Sequence, residues 1–258
     1  MKVSIVTVCL NSATSIEQTI RSVEEQDYDD LEYIIIDGGS KDGTLEIIRN
    51  RSQRISLWIS EPDQGVYDAM NKGLRLATGT IVAVLNAGDV YAKPSTVNRM
   101  IETIQRKQLD AAYGDMVYIN PKRGNRITRY WKTGKYRLGA FRYGWVIPHP
   151  TFFCRKTIYN QYGCFRNGIH IAADFELLLR FVEKHQIRID YLPEVIVKMK
   201  TGGLSQNFSG IIKGNMEIMR SFSMNGLPTP PFLFLVKPFL KASQVLRIPL
   251  LIYQEDKK

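Results

Sequence analysis

Three observations on this 258-residue chain predict an α/β fold with a mostly parallel, doubly wound sheet. Apolar runs of strand length alternate with amphipathic helical segments through the first hundred residues. Each apolar run ends directly in a short polar cluster. The composition, 44% apolar and 23% charged, is that of a globular protein with a sizeable core and excludes disordered, collagen-like and coiled-coil chains.

The elements follow in order. VSIVTVCL at 3–10 reads as a buried strand by its length and β-branched content, and its apolar span is too short for a secretory signal. After Asn11 and Ser12 a helix runs through Ile16, Ile20 and Val23 at i, i+4 and i+7. YIIIDGG at 33–39 is a second strand ending in a glycine turn, and the next helix turns Leu45 and Ile48 inward. LWIS at 57–60 and TIVAVLN at 80–86 are further strands, separated by a helix with Met70, Leu74 and Ala77 on one face. A helix around Val97, Ile101 and Ile104 follows. DAAYGDMVYI at 110–119, a PKRGN turn and RITRYW at 126–131 predict a hairpin. Residues 132–150, rich in Gly, Tyr and Arg, read as a substrate-facing loop. Residues 173–186 predict an amphipathic helix, 188–200 an extended segment and 211–222 another helix.

Charge narrows the partner. The chain carries +10 with a pI near 9.5, which points to an anionic partner: nucleic acid, a lipid surface or a phosphorylated substrate. Residues 1–100 hold 10 basic and 14 acidic side chains, and the remainder 25 and 11, so the basic surface belongs to the second part. Acidic clusters in the first part and the lack of a helix-turn-helix, RNA-recognition or zinc pattern count against nucleic acid. Cys9, Cys154 and Cys164 are odd in number and widely spaced, as reduced thiols of a cytoplasmic protein are. Residues 230–253 mix Phe, Leu and Ile with Lys237, Lys241 and Arg247, and their uncharged stretches fall far short of the ~20 residues that span a bilayer. This segment reads as a membrane-surface contact or as a helical tail packed on the domain.

In a parallel sheet, ligands bind at the carboxyl ends of the strands, where the polar clusters lie. Asp37, Gly38, Gly39 and Ser40 combine a carboxylate able to accept from a base or ribose with glycines that let backbone approach, although a capped strand-to-helix turn has the same residues. The chain has neither G-x-G-x-x-G nor a Walker GK[ST], so nicotinamide and P-loop readings lose support. Asp89 is the candidate metal ligand, since Mg²⁺ or Mn²⁺ is held by one or two carboxylates plus diphosphate oxygens; a helix cap is the alternative. Glu61, Asp63, Tyr67, Asp68, Asn71 and Lys72 crowd a turn beside Gly65 and suggest ligand contact.

TVCLN, IIIDGGSKDGT, SEPDQGVYDAMNKG, LNAGD, HPTFF and AADFELLLR, in this order, resemble glycosyltransferase family 2, the inverting nucleotide-sugar transferases of GT-A fold. The closest likeness is to transferases of colanic-acid and other capsular polysaccharide assembly. The resemblance spans 1–205 and implies a nucleotide-sugar part at 1–100 and an acceptor part at 101–205, leaving a C-terminal helical segment at 206–258. It implies that Thr7, Asn11, Asp37, Gly38 and Ser40 line the nucleoside pocket, and that Glu61, Asp68, Lys72 and Asn86 lie near the diphosphate or sugar. Asp89 is then the metal-binding end of a DxD-type motif, with Ala87 and Gly88 where many relatives have a small residue and Asp. His149 becomes a metal or diphosphate contact. Asp174 becomes the general base, with Ala173 in place of the usual acidic neighbour, although an N-terminal helix cap is the other reading of that position. Lys198, Lys200 and the turn at 202–205 read either as a closure over the donor or, equally well, as a plain β-turn. The implied enzyme is a hexosyltransferase taking a nucleotide-diphosphate sugar and a lipid-diphosphate-linked glycan acceptor, peripheral at the inner face of the plasma membrane. A non-catalytic nucleotide-sugar binder and a nucleic-acid-binding protein are the rival expectations.

Overall fold

The computed structural model describes residues 1–200, 208–230 and 244–245. Among these, the strands are β1 (Val3–Cys9), β2 (Leu31–Asp37), β3 (Leu57–Ser60), β4 (Ile81–Val84), β5 (Val90–Tyr91), β6 (Ala111–Asn120), β7 (Arg126–Trp131), β8 (Phe153–Arg155) and β9 (Ile189–Lys200). The helices are α1 (Ile16–Glu24), α2 (Thr44–Asn50), α3 (Val66–Leu76), α4 (Thr96–Arg106), α5 (Lys156–Tyr162), α6 (Ala173–Leu178) and α7 (Phe208–Met224). All strands join one sheet in the order β3-β2-β1-β4-β8-β6-β9-β5, with β7 paired to β6.

The first half is the parallel βαβ array that the sequence predicts. β1 pairs with β2 and β4, and β2 with β3, all parallel. Every residue of β1 and β4 is buried, because helices cover both faces of this part of the sheet. Val6, Val8, Ile34, Ile36, Val82 and Val84 pack with Met70 and Leu74 of α3 on one face. Ile5, Tyr33, Ile35, Ile81 and Ala83 pack with Ile16 and Ile20 of α1 and Ile101 and Ile104 of α4 on the other. Each such fully buried aliphatic side chain contributes roughly 1.5–3 kcal/mol. Contact between α3 and β1 is so close that a Cβ at Gly73 would lie 2.2 Å from Val6 Cγ1.

The second half is mixed. β6 and β7 form the predicted hairpin, β9 adds to β6 in parallel, and β8 lies antiparallel between β4 and β6. β5 crosses to the far edge and pairs antiparallel with β9. The helix predicted over 173–186 is α6 followed by a π-helical stretch, Leu179–Lys184. Residues 132–150 form 3₁₀ turns around an aromatic cluster in which Tyr136, Phe141 and Trp145 pack together and Phe141 reaches Phe175. All three cysteines are free, Cys9 and Cys154 being buried. No helix among the described residues is long and apolar enough to cross a membrane. The turn at 202–205 and most of the segment 230–253 lie outside the described residues.

Candidate active site

The carboxyl ends of β1 and β2 lead into two loops that lace together. Asn11, with φ 47°, donates its N–H to Ser40 Oγ at 2.7 Å and accepts from the Lys41 N–H at 3.0 Å. The Ser12 N–H donates to Thr44 Oγ1 at 2.8 Å and the Ala13 N–H to Asp42 Oδ2 at 3.1 Å. Asp37 organises the centre. Its Oδ2 accepts from the N–H groups of Gly39 and Ser40, at 3.0 and 2.9 Å, and from Ser60 Oγ at 2.7 Å. Its Oδ1 accepts from Ser40 Oγ and from the Cys9 thiol. Burial acts to raise this carboxyl, but the Ser40, Ser60 and Cys9 hydrogen bonds outweigh it and hold the group below its ordinary range. Five donors use the capacity of one carboxylate, so Asp37 fixes the loop that carries Gly38 and Lys41. Gly38 fits because a Cβ there would come 2.9 Å from Asp63 Oδ2. Thr7 presents no surface at this edge: it is buried within β1 and accepts from the Tyr33 hydroxyl at 3.1 Å.

The next cluster is an ionic cage. Lys72 Nζ lies 2.7 Å from Asp63, 2.9 Å from Glu61 and 3.7 Å from Asp68, and donates to the Pro62 carbonyl at 3.1 Å. Its hydrogen bonds to Asp63 and Glu61 push the ammonium upward, so it stays charged. Asp63, a member of the sequence cluster without an assigned role, makes the shortest of these pairs.

After β4 the chain continues beside β1, with the Leu85 N–H donating to the Val6 carbonyl at 2.9 Å and the Ala87 N–H to the Val8 carbonyl at 3.1 Å. It then turns, the Asp89 N–H donating to the Asn86 carbonyl at 3.0 Å and Gly88 taking φ 99°. Thr19 of α1 fixes the turn, accepting from the Gly88 N–H at 2.9 Å and donating to the Asp89 carbonyl at 2.8 Å. Two buried side-chain oxygens of this one turn, Asn86 Oδ1 and Asp89 Oδ2, have no hydrogen-bond partner among the described residues. Burial pushes the Asp89 carboxyl up to about 8, opposed by the charge of Lys200. Orphaned buried oxygens are costly and mark a place completed by something else. No three His, Cys, Asp or Glu side chains converge as a metal cage among the described residues. The donor set therefore fits a divalent cation that takes its remaining ligands from substrate oxygens and water.

Asp174 stands in the first turn of α6, facing α3. Its Oδ1 accepts from the Tyr67 hydroxyl at 3.2 Å and from the Phe175 N–H at 2.8 Å. Tyr67 also donates to the Ile171 carbonyl at 2.9 Å and packs on Phe165, whose ring meets His149 edge-on at 5.3 Å between centres. His149 is buried, and burial pushes its imidazole down to about 4, so it is neutral at pH 7. Asn71 clasps Phe165 through both backbone groups, at 2.9 and 3.0 Å. Arg180 donates to the carbonyls of Tyr162, Gly163 and Cys164. Glu217 of α7 accepts from the N–H groups of His170, Ile171 and Ala172. The structure thus joins Tyr67, Asp174 and His149 through Phe165. Glu217 was invisible in the sequence, where an isolated Glu in an amphipathic helix reads as surface.

This chain matches glycosyl transferase family 2 over residues 4–159. The chain belongs to glycosyl transferase family 2. Within the family it is 30% identical over 208 residues to a PGL/p-HBAD biosynthesis glycosyltransferase of Mycobacterium bovis, covering 78% of each chain. It is 31% identical over 178 residues to the glycosyltransferase AglE of Haloferax volcanii, covering 67% of this chain and 58% of AglE. The fold is shared with solved structures. S. aureus TarS residues 1–349 in complex with UDP superpose with a TM-score of 0.69 at 18% identity, over 96% of this chain and 71% of that one. The mannosyltransferase PcManGT of Pyrobaculum calidifontis, in complex with GDP-Man and Mn²⁺, gives 0.64 at 21% identity, over 96% and 70%. The architecture is accordingly GT-A, and the family-2 chain is a glycosyltransferase.

Proposed function

We propose that this glycosyltransferase inverts the anomeric centre while moving a sugar from a nucleotide-diphosphate donor to a hydroxyl of a lipid-diphosphate-linked glycan. One juxtaposition carries the reading: Asp89, in a turn with two buried oxygens that lack partners among the described residues, and Asp174, a carboxylate held by a tyrosine, both lie near enough to Tyr118 to add to the rise that burial gives its hydroxyl. Direct displacement requires those two capacities, one for the departing diphosphate and one for the incoming hydroxyl.

In this reading residues 1–100 receive the donor, the loops around Asn11, Gly38 and Ser40 facing the nucleoside. The Glu61, Asp68 and Lys72 cage borders the diphosphate and sugar, and Lys72 changes partners when phosphate oxygens arrive. Asp89 and Asn86 would hold Mg²⁺ or Mn²⁺, with neutral His149 as a further ligand or diphosphate contact. A cation so bound would neutralise the leaving diphosphate. Asp174 accepts the acceptor's proton as its oxygen attacks, and Tyr67 keeps the accepting oxygen oriented. Residues 101–205 receive the acceptor, and the basic, aromatic segment within 206–258 rests on the cytoplasmic membrane surface. The nucleotide and metal complexes of the structural neighbours support the donor class.

A thermal-shift screen against UDP-, GDP- and dTDP-sugars with Mn²⁺ tests the pocket and names the donor together. Stabilisation by at least one donor is expected, and none at all sinks the reading. With that donor, Asp174→Asn should retain nucleotide binding and lose transfer by ~10²–10⁴-fold, the contribution of a positioned base. Undiminished transfer by this variant would remove Asp174 from the role.

A further inference from the structure

A general base works only where its oxygen can meet the proton, so whatever fixes Asp174 enters the rate. α6 is six residues long, and the residues before it, 169–172, belong to no helix or strand. Two side chains from distant elements grip this approach from opposite sides. The Glu217 carboxylate takes the N–H groups of His170, Ile171 and Ala172 at 3.1, 2.8 and 2.9 Å. The Tyr67 hydroxyl shares its one proton between the Ile171 carbonyl at 2.9 Å and Asp174 Oδ1 at 3.2 Å.

Glu217 is 8% exposed and forms no ion pair among the described residues. A buried carboxylate without a counter-ion is costly unless hydrogen bonds offset its desolvation, and here all the offsetting bonds come from the three residues leading into α6. A residue serving only to pack α7 would be apolar. Near Glu217, α7 is otherwise anchored by Phe222, which is fully buried and packs on Phe175, the residue after Asp174. Thus α7 reaches the segment around Asp174 through a carboxylate at its entry, through Gly214 against Ile171 and through a ring beside it.

We propose that Glu217 is a positioning residue for Asp174: it holds residues 170–172 so that Tyr67 and Asp174 meet, an inference that rests on Asp174 acting as the base. The C-terminal helix therefore belongs to the catalytic apparatus rather than to a separate appendage. Substitution of Glu217 by its neutral isostere loosens the approach without emptying space.

The test is a double-mutant cycle on the full chain, using the donor selected by thermal shift and reading nucleotide release. Glu217→Gln should lower kcat by about 10²-fold, the effect of an ~1 Å misplacement, with the donor KM and the nucleotide-induced thermal shift unchanged. Added to Asp174→Asn, it should lower the residual rate no further, because both changes act through one carboxylate. Hydrogen exchange of amides 170–172 should quicken in Glu217→Gln with the sheet unaffected, a readout that needs no turnover. Tyr67→Phe, which keeps the ring on Phe165, should give the same kcat loss and the same non-additivity, and it carries the cycle if Glu217→Gln does not fold. A wild-type kcat in both Glu217→Gln and Tyr67→Phe overturns the proposal, and so do losses that multiply with that of Asp174→Asn. If Asp174→Asn alone keeps the wild-type rate, the base assignment has failed, an outcome distinct from either of these.

Discussion

At the scale of single residues, Asn86 and Asp89 are unfinished, as is the nearby Tyr91 hydroxyl, among the described residues. The other buried carboxylates near the sheet edge are satisfied: Asp37 by five donors, and Asp115 by the hydroxyls of Tyr130 and Tyr191 and the N–H of Thr133. Asp89 Oδ2 has no partner among the described residues, and burial raises its carboxyl to about 8. Asp89→Asn is therefore expected to fold and to lose the part of the nucleotide thermal shift that depends on Mn²⁺, since a ligand bound only to the native state stabilises it by RT ln(1 + [L]/Kd). Fluorimetric melts with UDP, with and without Mn²⁺, measure that increment. An undiminished increment would place the cation elsewhere. Lys72 carries a complementary expectation. Its three carboxylate partners leave net negative charge at the start of α3, and Lys72→Met would expose that charge to an incoming diphosphate and weaken nucleotide binding roughly tenfold or more, as loss of one charged hydrogen bond does. Isothermal titration with UDP and Mn²⁺ reads it.

At the scale of elements, α3 is the piece that ties fold to site. It lies on β1 through Gly73, presents Tyr67 and Asn71 to the 165–174 segment and carries Lys72 at the donor loops. Gly73→Ala would force a methyl group into Val6, and overpacking of this kind costs about 1–3 kcal/mol. Urea denaturation should show that loss with an unchanged m-value, and an unchanged midpoint would mean that α3 can lift without penalty. The parallel half was legible because β1, β2 and β4 are buried and rich in β-branched residues, and because each helix repeats its apolar residues at helical spacing. β5 and β8, of two and three residues, are too short to show a period, and the π-helical continuation of α6 differs from an α-helix only in a shift of hydrogen bonds. The polar clusters at strand ends, from Asn11 to Asp89, were legible as places because the strand itself announces where it stops. Thr7 shows the limit of that logic: it lies two residues inside its strand and faces a packed layer. Glu217 was beyond reach because its partners lie 45 to 47 positions away in sequence.

At the scale of the whole molecule, the two edges of the parallel sheet divide the labour. The amino edge is a closed polar knot in which Glu32 accepts from Lys2, Ser4 and Thr78, and Ser4 accepts from the Gly79 N–H. Burial acts to raise the Glu32 carboxyl, yet these hydrogen bonds lower it to about 2. A carboxyl depressed in the folded state stabilises fully above its unfolded value and loses that contribution as pH falls through the folded one. Stability should therefore drop by up to about 3 kcal/mol between roughly pH 5 and pH 2, and Glu32→Gln should flatten that stretch of the acid-denaturation curve. The basic charge of the second half and the segment 230–253 frame an expectation of the same scale: removing residues 230–258 should release the protein from anionic phosphatidylglycerol vesicles in a flotation assay, and unchanged flotation would refute the contact. Thiol placement adds a practical asset. Burial raises all three thiols and shields Cys9 and Cys154, whereas Cys164 is partly exposed and precedes Phe165, the ring shared by Tyr67 and His149. A maleimide dye added to the unmodified protein should thus attach at one point, beside the segment that carries Asp174, and its fluorescence becomes an optical gauge of substrate arrival.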